Sequence, residues 1–157
     1  MKTLIAYATQ TGTTEKAAEM IADKLKAKPD IVNIGATKTI ELSGYDFILV
    51  GGSIRMGKVN KAVRRFLANN KQALMSTRFG LFLACGYPEE VENYYNVILD
   101  EDLKSHVTIT AEIGYAYYLD EMGPIARKII SQLASISETT EKYNLKAIQA
   151  IADVING

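Results

Sequence analysis

Disulfide chemistry is the first thing this chain does without. Cys85 is its only cysteine, which excludes an internal disulfide framework and suits a reducing compartment such as the cytoplasm. Net charge is absent too. Eighteen basic residues balance eighteen acidic ones, which argues against a nucleic-acid binder driven by phosphate neutralisation and leaves no global field to steer a charged ligand. No apolar stretch approaches the roughly 20 residues needed to span a bilayer. The N-terminal apolar run is too short for a signal peptide and leads straight into a polar loop, so the expectation is a cytoplasmic domain. The lone histidine, His106, has no partner at metal-ligand spacing and reads as structural or surface. No internal repeat, low-complexity tract or linker divides the 157 residues. The chain is read as one domain, 1–157, large enough to bury a core without staples.

What is present is an alternation of apolar runs and helical patterns from end to end. Lys2–Ala8 reads as a buried strand and Thr13–Lys26 as a helix with Ala17, Ala18, Ile21, Ala22 and Leu25 on one face. Pro29 ends it, and Ile31–Ile34 gives a short second strand. Tyr45–Val50 is a third, strongly apolar strand, followed by a helix over Val59–Leu74. Arg78–Cys85 is the fourth strand, Glu89–Leu103 the next helix, and His106–Ile113 the fifth strand, which His106 opens. Pro124–Leu133 and Leu145–Ile155 complete the helices. Continuous apolar strands joined by helix-length crossovers imply an α/β domain whose parallel sheet is covered on both faces. In such sheets ligands sit outside the carboxyl ends of the strands, where the strand order switches.

The loop after the first strand, Thr9-Gln10-Thr11-Gly12-Thr13-Thr14, carries four threonines in six residues. A helix N-terminus presents unpaired amides and a partial positive charge, threonine hydroxyls add donors, and Gly12 permits a tight turn and close approach. There is no lysine and no Gly-Lys-Ser/Thr ending, so this is not a nucleotide P-loop, and the G-x-G-x-x-G spacing of a dinucleotide turn is absent. The chemistry left is a cradle for a phosphate monoester held by neutral donors. The plainer alternative is that Thr11 or Thr13 merely caps the helix.

Two further loops meet this one. They are Gly51-Gly52-Ser53-Ile54-Arg55-Met56-Gly57-Lys58, after the third strand, and Ala84-Cys85-Gly86-Tyr87-Pro88-Glu89, after the fourth. Both contain glycine, which suggests that backbone groups line the site and suit a flat polar heterocycle.

These residues resemble the flavodoxin-like family over nearly the whole chain. Thr9–Thr14 matches the family's T/S-x-T-G-x-T phosphate motif at every specified position. The resemblance implies a three-layer αβα sandwich with a five-stranded parallel sheet in the order 2-1-3-4-5, and an FMN cofactor. The phosphate would lie on the first loop and the isoalloxazine between the other two. Flavodoxin is itself the standard illustration of FMN at a switch point. The cofactor-contacting residues so implied are Thr9, Gln10, Thr11, Gly12, Thr13, Thr14, Ser53, Ile54, Arg55, Met56, Gly57, Ala84, Cys85, Gly86 and Tyr87. Val50–Gly57 also looks like the G-[GA]-S-I-R-x-G stretch of the branch containing menaquinone-dependent protoporphyrinogen IX dehydrogenase, and Phe66-Leu67 fits that branch. Gly114–Glu121 keeps the branch's tyrosines but not its basic charge.

The implied function is FMN-dependent electron transfer, with redox partner proteins, or a small organic substrate and a quinone, as the other participants. Quinone use would allow peripheral membrane association. The alternative is an FMN-dependent oxidoreductase like the protoporphyrinogen enzyme. Beyond the flavin, only Arg55 is a candidate for substrate or flavin contact, and it reads equally as a solvated loop arginine. Gly57 is either a turn glycine or, as in similar flavodoxins, the peptide that answers the protonation of flavin N5. Tyr87 either stacks on the ring or covers the next helix. Cys85 reads as a small buried hydrophobe. Tyr94, Tyr95, Tyr115, Tyr117 and Tyr118 divide between core packing and an apolar surface.

Overall fold

The computed structural model describes residues 1–37, 39–119, 122–134 and 139–157. Its main sheet follows from alternation in the strands. In β1 (Thr3–Tyr7), Leu4 points to one face and Ile5 and Tyr7 to the other, and every residue is buried. A strand with apolar residues on both faces can only sit between two layers. Parallel partners flank it, β2 (Asp30–Asn33) on one side and β3 (Phe47–Arg55) on the other, and β5 (Arg78–Ala84) and β6 (Ile109–Glu112) extend the sheet. The path β2-β1-β3-β5-β6 is the expected order once the short β4 (Lys58–Val59) is counted.

One face of the sheet is covered by α1 (Thr13–Ala22) and α7 (Leu145–Asn156). There Ala17, Ala18, Ile21, Ile148 and Ile151 pack on Ile5, Phe47, Leu49 and Phe82. The other face takes α2 (Lys61–Asn69), α3 (Lys71–Met75), α4 (Val91–Ile98) and α5 (Glu101–His106). Their Val63, Phe66, Leu67, Leu74, Tyr95 and Leu103 meet Leu4, Ile48, Val50, Phe79 and Leu81. Burying each large apolar side chain contributes roughly 1.5–3 kcal/mol.

Several boundaries differ from the sequence reading. Helix 59–74 is two helices, because the Asn60 side chain caps α2 through the Ala62 amide and Asn70 interrupts the run before α3. Helix 89–103 likewise divides. A 3₁₀ turn over Pro88–Glu90 precedes α4, Leu99 is extended, and Asp100 starts α5 by accepting the Leu103 amide. His106 therefore ends a helix rather than opening a strand. Its ring stacks on Phe79, and Nε2 lies 2.9 Å from the Thr77 carbonyl. After β6 the chain leaves the main sheet through β7 (Gly114–Tyr117), runs along α6 (Pro124–Ala134), and returns as β8 (Thr140–Tyr143), which pairs antiparallel with β7. That small second sheet was not foreseen. Of the segment 114–121, Asp120 and Glu121 lie outside the described residues. Among the described residues no helix is long and apolar enough to cross a membrane.

Candidate functional site

The switch of strand order falls between β1 and β3, which lead to opposite sides of the sheet. At that point the threonine loop enters α1. Gly12 is the N-cap, held at φ 87°, a left-handed conformation that suits glycine. Neither Thr11 nor Thr13 caps the helix, since no side chain does so. The loop is instead tied by Thr9, whose Oγ1 accepts the Gly12 amide at 2.9 Å, leaving its own proton for an anion. The hydroxyls then divide by role. Thr13 donates to the Ala116 carbonyl at 2.9 Å and so fastens β7 to α1. The Thr14 hydroxyl is fully buried and has no hydrogen-bond partner. A buried polar atom without a partner costs about 1–3 kcal/mol. This hydroxyl lies beside the first-turn amides, which have no intrahelical acceptor.

Below the loop, Tyr7 donates to Glu15 Oε1 at 2.9 Å. Burial, reinforced by the bond to Glu15 and the charges of Glu15 and Glu19, pushes the Tyr7 hydroxyl up to about 12. Because folding raises this pKa above the ordinary value of 10, the protonated form is the one the fold favours. The associated stability is complete below pH 10 and is lost as pH rises through about 12. An alkaline absorbance titration should show several late-ionising tyrosines, since Tyr45, Tyr94, Tyr95, Tyr117 and Tyr118 are raised as well, and Tyr7→Phe should remove the one that ionises near pH 12. Its survival in that variant would reassign the shift.

The second wall is not the loop that sequence suggested. Gly51–Arg55 continues β3, and a two-residue turn, Met56-Gly57, folds the chain into β4, with Arg55 paired to Lys58 and Ile54 to Val59. Both turn residues have positive φ, 51° and 72°, the signature of a type I′ hairpin. Gly51 and Gly52 are glycines for packing. A Cβ at Gly51 would lie 2.1 Å from Phe82 Cζ, and one at Gly52 2.6 Å from Val63 Cγ2. Both glycines are buried, and they make room for a ring in the neighbouring strand and for α2. Ser53 and Ile54 are half-buried, and Arg55, Met56 and Gly57 are exposed. Arg55 Nη1 donates to Gln10 Oε1, so the hairpin and the threonine loop are joined directly.

The third wall follows β5. Ser53 is level with Ala84 across the sheet, which brings this loop beside the hairpin. Ala84 and Cys85 are buried, whereas Gly86 and Tyr87 are exposed, Tyr87 by 66%. Cys85 Sγ donates to the Tyr87 carbonyl at 3.2 Å. Burial pushes its thiol pKa up, against that bond, with the charges of Glu112, Glu90 and Glu89 adding to the rise. A thiol so placed is poorly suited to nucleophilic work.

Tyr117 is the neighbour that sequence reasoning did not assign to the site. Its hydroxyl is 3.6 Å from where a Gly86 Cβ would be, and its ring lies 5.6 Å from that of Tyr115. Burial first, then Tyr115, Tyr87 and Cys85, raise its pKa. The alternation of β7, which sends Tyr115 and Tyr117 to one side, was the available signal. Tyr95 and Tyr118 are core residues, 4% and 7% exposed.

The three walls form an open edge. A concavity of about 430 Å³ lies elsewhere, among Arg64, Leu67, Lys71, Val97 and Leu103. Another of about 340 Å³ is lined by Ile40, Leu42, Asn70 and Thr77. Neither touches the threonine loop. The arrangement can hold an anion at the α1 terminus and a flat group between the hairpin and the Cys85–Tyr87 loop.

Comparison with known proteins bears on that geometry. Residues 4–144 match the flavodoxin domain family. Over 96 residues the chain is 29% identical to the protoporphyrinogen IX dehydrogenase [quinone] of Escherichia coli strain K12, covering 57% of this chain and 53% of that protein. The chain thus spans about half the length of the curated relatives it matches. Among solved structures, a short-chain flavodoxin associated with a non-canonical PDU bacterial microcompartment superposes with a TM-score of 0.61 at 16% identity, covering 98% of this chain and 95% of that one. A flavoprotein from Lactobacillus acidophilus NCFM, solved in complex with FMN, gives 0.54 at 19% identity over 71% of this chain and 92% of its own. At these identities the structures establish a shared fold.

Proposed function

Because this chain belongs to the flavodoxin domain family, we propose that it binds FMN at the carboxyl edge of its sheet and serves in electron transfer. The observation that carries the reading is the buried, unpartnered Thr14 hydroxyl at the α1 N-terminus. With Thr9, Thr11 and the first-turn amides it would hold the phosphate without a cationic side chain. Gln10 and Gly12 shape the loop, and Thr13 anchors it. Ser53, Ile54, Arg55, Met56 and Gly57 would flank the isoalloxazine on one side, and Ala84, Cys85, Gly86 and Tyr87 on the other. FMN, when bound, supplies the exchange of one and two electrons. The Arg55 guanidinium favours negative charge near it, and Gly57 offers a peptide carbonyl at the hairpin tip.

A second reading, an oxidoreductase acting on a small organic substrate with a quinone as acceptor, draws support from the relative that bears that name and from the exposed edge left by the hairpin. Purified protein should be yellow and release FMN rather than FAD or riboflavin. Colourless protein that takes up no added FMN would end both readings. Anaerobic reduction followed by addition of protoporphyrinogen and a menaquinone analogue separates them. Turnover supports the oxidoreductase, and full reduction without turnover supports the carrier.

A further inference from the structure

Net neutrality conceals a segregation of charge. Between Asp46 and Glu89 the chain has seven lysines and arginines and no acid, whereas from Glu89 to Glu112 it has seven acids and one lysine. Five of the cations, Arg55, Lys58, Lys61, Arg64 and Arg65, are exposed around the Met56-Gly57 turn and the start of α2. Lys71 and Lys104 are paired with Asp100, Asp102 and Glu101. None of the five lies at salt-bridge distance from a carboxylate among the described residues.

The placement of these cations works against the local structure. Arg55 stands directly opposite Lys58 in the hairpin, where like charges repel. Lys61 occupies the positive end of the α2 dipole, whose first turn has no acid, and Arg65 repeats the charge one turn further along the same face. Met56 holds φ 51° at a turn position favouring asparagine or aspartate, with 86% of its surface exposed. Arg55 and Arg64 each find a neutral acceptor, Gln10 Oε1 and the Val59 carbonyl, but no carboxylate of the described residues offsets the repulsion among the five. Such clustered conflicts mark a surface selected for something other than folding.

We propose that this basic surface, centred on Met56, docks an acidic partner protein beside the flavin edge, a reading that rests on the FMN site described above. Arginine and methionine suit protein interfaces. A bilayer is the poorer occupant, because the apolar side of α2, Val63, Phe66 and Leu67, is spent on the core and no amphipathic face remains to insert. Glu89, Glu90 and Glu92 lie beyond Tyr87, so an acidic partner is repelled from that side and held toward the hairpin.

The test uses a fluorescein-labelled dodecaglutamate peptide, with the protein both flavin-free and FMN-loaded. Fluorescence anisotropy at low ionic strength should show binding that weakens with salt and falls about tenfold in Lys61→Glu/Arg65→Glu. The pair Lys26→Glu/Lys28→Glu, which changes net charge equally, should bind within about twofold of the parent. Because an acid at Lys61 complements the helix dipole, the Lys61→Glu single variant should also melt about 1–3 °C higher. Equal loss in the two pairs, a lowered melting point, or stronger binding to phosphatidylserine vesicles or duplex DNA than to the peptide would overturn the proposal. So would concentration-dependent self-association abolished by Lys61→Glu/Arg65→Glu. Peptide binding by the flavin-free protein needs no cofactor, so failure to take up FMN is distinguishable from failure of the docking surface.

Discussion

Thr14→Val is expected to raise the melting temperature of the flavin-free protein while weakening its hold on FMN. The side chain keeps its shape, and the only thing lost is a hydroxyl that is fully buried and has no partner. Removing a desolvated polar group of that kind stabilises the fold by about 1 kcal/mol, which in a domain of this length is a rise of roughly 2–4 °C. A hydrogen bond to a charged group is worth about 1.5–3 kcal/mol, so FMN affinity should fall about 10- to 100-fold. Riboflavin, which has the same ring without the phosphate, should bind within about twofold of the parent. Differential scanning fluorimetry and fluorescence-quenching titrations with the two flavins read all three quantities. A destabilised variant, or equal losses for FMN and riboflavin, would show that Thr14 is not a phosphate donor.

The second large effect is expected at Gly114. This residue joins β6 to β7 at φ 90°, and a Cβ there would sit 2.0 Å from the Lys142 carbonyl oxygen and 2.8 Å from the Asn144 nitrogen. Every obstacle is backbone, so no rotamer change relieves the clash. Gly114 also accepts the Cys85 amide at 2.9 Å and donates to Glu112 Oε1 at 2.5 Å. Gly114→Ala should therefore open the β7–β8 pairing and cost about 4 kcal/mol or more, a fall of roughly 10 °C in melting temperature. FMN affinity should drop with it, because β7 carries both the Ala116 carbonyl that holds Thr13 and the Tyr117 ring beside Gly86. A variant melting within about 1 °C of the parent would show that the neck can relax.

How much of this was legible depended on how local the cause was. The threonine loop could be read because strand, glycine and helix are contiguous, and the parallel sheet could be read because its strands are unbroken apolar runs. The helix breaks at Asn70 and Leu99 were missed, although the capping signals at Asn60 and Asp100 were present in the chain. The packing role of Gly51 and Gly52 was hidden for a stronger reason. What fills their missing side chains is Phe82, level with Gly51 in the next strand, and Val63 on α2, and neither neighbour is visible until strand order and register are known. The pairing of β7 with β8 and the bond from Thr13 to Ala116 are likewise long-range. That Thr13 is bonded to a residue far along the chain while the Thr14 hydroxyl is left without a partner thus had to come from the structure.

The excursion from β6 to α7 is closed by a narrow neck. Asn144 donates its amide to the Ile113 carbonyl at 2.8 Å and its side chain to the Glu112 carbonyl at 3.1 Å, then caps α7 through the Ala147 amide. The β7–β8 pair is fixed there and by the Thr13 bond to Ala116, and the strands of the main sheet pair with one another without it. Doubling such a closed segment adds only about 0.6 kcal/mol of closure entropy. The chain beyond that pair can therefore be lengthened or shortened at little thermodynamic cost, so long as Gly114 and Asn144 keep the neck. The β7–β8 unit is thus an appendage on a self-sufficient sheet, fastened at the neck and at Thr13.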